Sequence, residues 1–135
     1  IVDIGIPVMG HIGFTPQFFK KFKVQGVEKE EKYKLVEQAK KIQKAGAFSL
    51  VLECINSATA KKITSSIQIP TIGIGASIYC DGQILVTDDM LGLSGFYPKF
   101  VKKFINLNYV IDIGVEKYKK AVQKKKFPSK KNFFN

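Results

Sequence analysis

The chain has 135 residues, 45% of them hydrophobic, so it amounts to one domain or less with enough apolar content for a packed core. No run is apolar for the length of a membrane span, and no signal-peptide pattern opens the chain. The formal charge of +11 rests on 22 basic residues, all lysine and none arginine, spread over prospective helix faces and the tail. That distribution reads as solvated surface, not as a nucleic-acid site, where arginine dominates base recognition.

The first strand is expected over Ile6–His11, with Pro7 near its start, where a missing N–H is tolerated. A loop carrying Gly10, His11, Gly13 and Thr15-Pro16 follows. Leu35, Val36, Ala39 and Ile42 recur at helical spacing and predict an α-helix over Glu28–Ala45. Glu28, Glu30 and Glu31 in its first turn and Lys40, Lys41 and Lys44 in its last match the helix dipole, and Gly46 is a suitable stop. The apolar run Phe48–Leu52 then reads as a parallel strand buried on both faces, and it ends abruptly in Glu53.

Beyond it, Ser57 is expected to cap a helix that turns Ala60, Ile63 and Ile67 inward. Pro70 opens a third strand, Thr71–Gly75, and a turn at Asp81-Gly82 leads to a fourth over Gln83–Val86. Asp88-Asp89 begin a short helical or looped piece. Pro98 stands where a helix would take its first turn, continued by Phe100, Val101 and Phe104. After Asn106–Asn108 a last helix places Ile111, Val115, Tyr118 and Val122 on one face. The lysine-rich tail that follows is expected to be poorly ordered unless it docks.

Strands alternating with helices imply a parallel sheet with right-handed crossovers. Four strands are too few to close a (β/α)8 barrel, whose usual length is about 250 residues, and an open sheet of four would leave two apolar edges unpaired. The chain also starts at Ile1 without a methionine and is soon in an apolar strand, so it reads as a chain entered in the middle. Within α/β folds the C-terminal strand ends open into the shared crevice, which makes Glu53 a candidate acid or base. A carboxylate capping the next helix, or pairing with a lysine, fits the position equally well.

Other candidates carry the same kind of alternative. His11 is a candidate substrate contact or a loop histidine bonded to backbone. Asp88-Asp89 suggest a metal pair or a helix cap. Gly73-x-Gly75 lacks the third glycine of a dinucleotide fingerprint and is read as backbone room beside a substrate. Cys54 and Cys80 stand in no metal or redox spacing, which fits reduced thiols in a cytosolic setting, and a single histidine leaves no His/Cys zinc cluster.

Several segments occur in one particular order: Gly5-Ile-Pro-Val-Met-Gly-His-Ile-Gly-Phe-Thr-Pro-Gln17, Lys23-Val-Gln-Gly26, Ala45-Gly-Ala47, Val51-Leu-Glu-Cys54, Ile69-Pro-Thr-Ile-Gly-Ile-Gly-Ala76 and Cys80-Asp-Gly-Gln83. Asp89-Met-Leu-Gly-Leu93, Pro98-Lys-Phe-Val101 and Phe127-Pro-Ser129 extend the series. Together they resemble the C-terminal half of the ketopantoate hydroxymethyltransferase family across essentially the whole chain. The resemblance implies a fold that is the C-terminal half of a (β/α)8 barrel, with residues 1–126 as a partial barrel domain and 127–135 as a lysine-rich tail. It implies transfer of a one-carbon unit from 5,10-methylenetetrahydrofolate to 3-methyl-2-oxobutanoate, in a cytoplasmic homo-oligomer on the route to pantothenate and coenzyme A.

The same resemblance makes Glu53 the catalytic acid/base and His11 a substrate-binding residue. Mg²⁺ chelated by the keto acid would polarise the ketone, with its ligands in the first half of the barrel and none in this chain. A carboxylate at a buried strand end can then take the proton from the neighbouring carbon. The chain departs from the family pattern in a shorter stretch between Gln17 and Lys23, where Phe18, Phe19, Lys20 and Lys21 replace glycines. Val27 stands for a frequent Arg, Ser77 for Gly and Asp88 for His, and the loop near Ser94 is one residue short. Two other readings are another Mg²⁺-dependent keto-acid barrel of the phosphoenolpyruvate mutase and isocitrate lyase kind, and an inactive basic module that binds RNA or an acidic partner.

Overall fold

Side chains alternate between the two faces of a strand, and in residues 1–85 that alternation separates a packed face from a less buried one. A computed structural model describes residues 1–15 and 23–134 as two compact units, Ile1–Leu85 and Val86–Asn135. Pro16 and the shortened stretch at Gln17, Phe18, Phe19, Lys20 and Lys21 lie outside the described residues.

The first unit is a parallel sheet in the order β1-β2-β3-β4, formed by Met9–Gly13, Ser49–Glu53, Thr71–Ile74 and Gly82–Gln83. Helix α1 (Lys29–Lys44) joins β1 to β2, and α2 (Ser57–Thr64) joins β2 to β3. Ile12, Leu50 and Leu52 share one face and pack with Leu35, Val36 and Ala39 of α1 and Ala60 and Ile63 of α2. Leu50 and Leu52 are fully buried there, each contributing roughly 1.5–3 kcal/mol of transfer free energy. Register puts His11 opposite Val51, Gly13 opposite Glu53, and Glu53 opposite Ile74, all on the other face. Val51 and Glu53 are only half-buried, so β2 is fully buried on one face, not on both.

Several boundaries differ from the sequence reading. The first strand runs from Met9 to Gly13, three residues later than expected, because pairing begins where Met9 meets Ser49 and ends at Gly13 with φ +100°. His11 is therefore mid-strand and not in a loop. Strand β2 starts at Ser49, leaving Phe48 half-exposed with its N–H donated to the Val8 carbonyl. Helix α2 is capped by Asn56, whose Oδ1 accepts the Ala58 N–H at 3.1 Å, so Ser57 is its first residue and not its cap. Asn ranks with Ser as an N-cap, and the Asn56 N–H is itself held by the Gln25 carbonyl. The fourth strand shortens to Gly82–Gln83, and Val86 is the N-cap of the next helix.

A polar lock closes the far end of β3. The Asp81 carboxylate accepts the Thr71 N–H at 2.8 Å and its hydroxyl at 2.9 Å. With that proton committed, the Thr64 hydroxyl donates to Thr71 Oγ1 at 2.9 Å. These donors hold the Asp81 carboxyl below its ordinary range, the Thr71 N–H contributing most.

In the second unit, α3 (Thr87–Leu91) ends at Gly92 in the left-handed region, where a Cβ would lie 2.7 Å from the Ile105 carbonyl oxygen. Residues 98–104 form no helix: one turn closes from the Val101 N–H to the Pro98 carbonyl, and the Phe104 N–H donates to Met90. The segment is too short to outweigh the ordering cost of a helix without a cap. Helix α4 (Leu107–Gln123) is capped by Asn106 and carries the expected residues Ile111, Val115, Tyr118 and Val122, none of them buried. Phe127 meets Tyr118 edge-on at 5.5 Å, fixing the first residue of the tail to α4. None of the helices is long and apolar enough to cross a membrane, among the described residues.

Truncating Leu52 to Ala should cost about 2–5 kcal/mol in denaturant unfolding, because the cavity lies between β2 and both helices. A cost below that range would mean that this face is not the core. Replacing Asp81 with Asn should lower stability above about pH 4, where its carboxylate is ionised in both states. That deficit should shrink as pH falls through the depressed folded value, since a carboxyl held low stabilises only while charged. An unfolding series against pH reads the trend directly, and a deficit independent of pH would contradict it.

Candidate active site

The site is built at the C-terminal end of β2. Glu53 is the last residue of that strand, and its side chain is 17% exposed. On one side its register partner Gly13 offers no side chain, and on the other Ile74 supplies an apolar wall. His11, two positions back on β1, reaches diagonally across this face and places Nε2 3.1 Å from Glu53 Oε2. Its side chain is 39% exposed, so one edge of the imidazole remains open to a ligand.

The two bland alternatives for Glu53 do not describe this geometry. The cap of the following helix is Asn56, and among the described residues the side chain that meets the Glu53 carboxylate is His11, not a lysine. At 3.1 Å the imidazole nitrogen is close enough to the carboxylate for the two to act on one proton. Such a pair can accept a proton from a carbon acid or return one to an oxygen.

The backbone around Glu53 is pinned from three sides. Its carbonyl accepts the Phe14 N–H at 2.8 Å, and the Cys54 N–H donates to the Ile74 carbonyl at 2.9 Å. Only glycine fits at position 13, since a Cβ there would lie 2.1 Å from the Glu53 carbonyl oxygen. Cys54 then takes a left-handed φ of 51°, which costs a non-glycine residue about 1–3 kcal/mol. The Gln25 N–H donates to the Cys54 carbonyl and the Asn56 N–H to the Gln25 carbonyl, both at 2.8 Å, so the strained turn is held between them. Cys54 is buried, and that burial, with the Glu53 charge beside it, pushes its thiol up to about 11.

The segment Lys23-Val-Gln-Gly26 carries this clamp, and the sequence analysis gave it no role. The Gly26 N–H donates to Glu31 Oε2 at 2.7 Å, and the Gly26 carbonyl accepts the buried Thr59 hydroxyl at 2.7 Å. A usable signal was present: a Gln-Gly pair five residues before a glutamate in the first turn of a helix. An open cleft of about 510 Å³ runs beside β1, with His11, Gly13, Gln25 and Glu31 among its walls, whereas Glu53 does not line it.

Three other sequence candidates fall elsewhere. A Cβ on Gly73 would lie 2.8 Å from the Gln83 side chain and 3.1 Å from Cys80 Sγ. The room left by that glycine is thus filled by packing and is not substrate space. Asp88 and Asp89 stand in the first turn of α3 without capping it by side chain, and the Asp89 carboxylate accepts the Ser94 hydroxyl. Among the described residues no three His, Cys, Asp or Glu side chains gather as a metal site. The described residues offer no such ligand set for the magnesium that the resemblance implies.

Comparison with known proteins gives this geometry a family. The sequence pattern of ketopantoate hydroxymethyltransferase matches residues 1–130. A 3-methyl-2-oxobutanoate hydroxymethyltransferase of Clostridium novyi (strain NT) is 54% identical over 99% of this chain and 50% of its own length. Proteins of the same name from Thermosipho africanus (strain TCF52B) and Pelagibacter ubique (strain HTCC1062) are 50% and 47% identical over 98% and 96% of the chain. They are covered over 52% and 50% of their own lengths, so the chain spans about half the length of the curated relatives it matches. With its pattern matched from the first residue to residue 130, the chain belongs to the ketopantoate hydroxymethyltransferase family of transferases.

Proposed function

We propose that residues 1–126 supply roughly the fifth to eighth strands of a (β/α)8 barrel, with 127–135 as a lysine-rich tail. The support is one-sided packing: α1 and α2 both cover the Leu50/Leu52 face of the parallel sheet, and among the described residues of the unit neither helix packs on the Glu53 face. A doubly wound sheet would carry helices on both faces, whereas a barrel carries them only outside. The assembled barrel transfers a one-carbon unit from 5,10-methylenetetrahydrofolate to 3-methyl-2-oxobutanoate, giving ketopantoate for pantothenate and coenzyme A. It works as a cytoplasmic homo-oligomer, and Mg²⁺ is held by residues outside this chain.

The observation that carries the reading is the 3.1 Å contact between His11 Nε2 and Glu53 Oε2 at a parallel strand's C-terminal end. In this reading Glu53 takes the proton from the carbon beside the ketone, and the electron pair left behind forms the enolate. Water releases the one-carbon unit from both folate nitrogens at the formaldehyde level, leaving tetrahydrofolate. The enolate carbon then bonds to that one-carbon unit, and its oxygen takes up the proton held by Glu53 to give the hydroxymethyl group. His11 donates to the carboxylate, aims it at the carbon acid, and meets the keto acid with its open edge. Gly13 leaves space beside the carboxylate, and Ile74 keeps water from one flank of it.

Proton abstraction can be read separately from transfer by following loss of the 3-methyl-2-oxobutanoate C3 proton signal in D₂O by NMR. In the active assembly containing this chain, Glu53→Gln should slow that exchange by about 10²–10⁴-fold, the usual contribution of a general base. His11→Ala should slow it by about 10-fold or more while leaving the fold intact, as a misaimed base requires. Wild-type exchange in Glu53→Gln would remove Glu53 from this role.

A further inference from the structure

The turn that presents Glu53 does not hold itself. Cys54 stands in the left-handed region immediately after the carboxylate, and the backbone bonds beyond it, to Cys54 and from Asn56, both go to Gln25. Gln25 is buried and pairs as a single parallel bridge with Ile55, so it acts as a one-residue strand against the turn. The position of Gln25 depends in turn on Gly26, which is fixed at both ends: its N–H by Glu31 at 2.7 Å and its carbonyl by Thr59 at 2.7 Å. Thr59 belongs to α2, and Glu31 to the first turn of α1.

Glu31 is the third residue of α1 after the cap Glu28. In an ordinary capping box a glutamate there would accept the N–H of the cap residue itself. Here it reaches two residues further back, to the neighbour of Gln25. The bond therefore does more than close the helix end: it anchors the clamp on a helix that packs against β2 through Leu35, Val36 and Ala39.

Building on the proposed role of Glu53, we infer that Glu31 is a positioning residue for the Glu53 carboxylate, acting through Gly26 and Gln25. Its bond goes to the Gly26 backbone and not to Glu53. Its carboxylate sets where Gln25 meets the Cys54–Asn56 turn, and that turn sets the direction of the strand end. A carboxyl displaced by a fraction of an ångström from its carbon acid loses rate without losing substrate affinity.

The test compares Glu31→Ala and Glu31→Gln with Glu53→Gln in the active assembly containing this chain. Glu31→Ala should lower turnover about 10- to 100-fold, with the KM for the keto acid changed less than about twofold. Glu31→Gln keeps an acceptor oxygen for the Gly26 N–H and should recover most of that turnover. Amide hydrogen exchange should speed up at Gly26 and Asn56 in Glu31→Ala and return in Glu31→Gln. Wild-type turnover in Glu31→Ala would overturn the inference, even with faster exchange at those amides. Equal losses in the Ala and Gln variants, tracking a lowered Tm, would also overturn it by making the residue merely structural. Full turnover in Glu53→Gln would instead defeat the underlying catalytic reading, and the positioning role with it.

Discussion

The parallel ladder at the end of β2 is the constraint on which the rest of the first unit depends. Period-two alternation sends Leu50 and Leu52 into the helices and Val51 and Glu53 to the opposite face, so one strand serves both core and site. A slip of one residue would exchange those faces, burying the carboxylate under α1 and α2 without a partner. The register pairs that prevent it, Met9 with Ser49 through Gly13 with Glu53, are reinforced where the Phe14 N–H meets the Glu53 carbonyl. The packing of the core and the placement of Glu53 are thus set by the same hydrogen bonds.

The charge plays a smaller part than its size suggests. The ion pairs made by lysines among the described residues, Lys40–Glu37, Lys119–Glu116 and Lys120–Glu116, are all one helical turn apart on exposed surface. Pairs of that kind are worth about 0–1 kcal/mol and weaken with salt. Among the described residues the carboxylate contact that crosses between strands is His11 with Glu53, and its Glu53 side is the most enclosed. Electrostatics here is concentrated at the site, while the lysines keep helix surfaces hydrated.

Much of this was legible from residue order. The 3.6-residue period of Leu35, Val36 and Ala39 gave α1 to within a residue at each end, and the break from Leu52 to Glu53 marked the strand end that bears the site. The ordered motifs around His11 and Glu53 identified the family. What stayed hidden depended on distant partners. Whether His11 was loop or strand turned on where Met9 meets Ser49, forty residues away in sequence. The cap of α2 moved to Asn56 because Gln25, far upstream, fixes its backbone. The Gln25–Gly26 clamp had no local signature strong enough to assign, since each of its bonds joins separate elements. Residues 98–104 failed as a helix because nothing in their own sequence caps one.

The thiol of Cys54 has a consequence for the chemistry of its neighbour. A cysteine next to a reactive carboxylate is ordinarily a second nucleophile and a target for oxidants and electrophiles. Pushed up to about 11 and buried, this one carries a thiolate in only about one molecule in 10⁴ at neutral pH. In the proposed reaction the sulfur would therefore neither compete with Glu53 for a proton nor trap the one-carbon donor. What the position uses is the residue's compact bulk in a strained turn, with its reactivity silenced by the same burial that holds the turn in place.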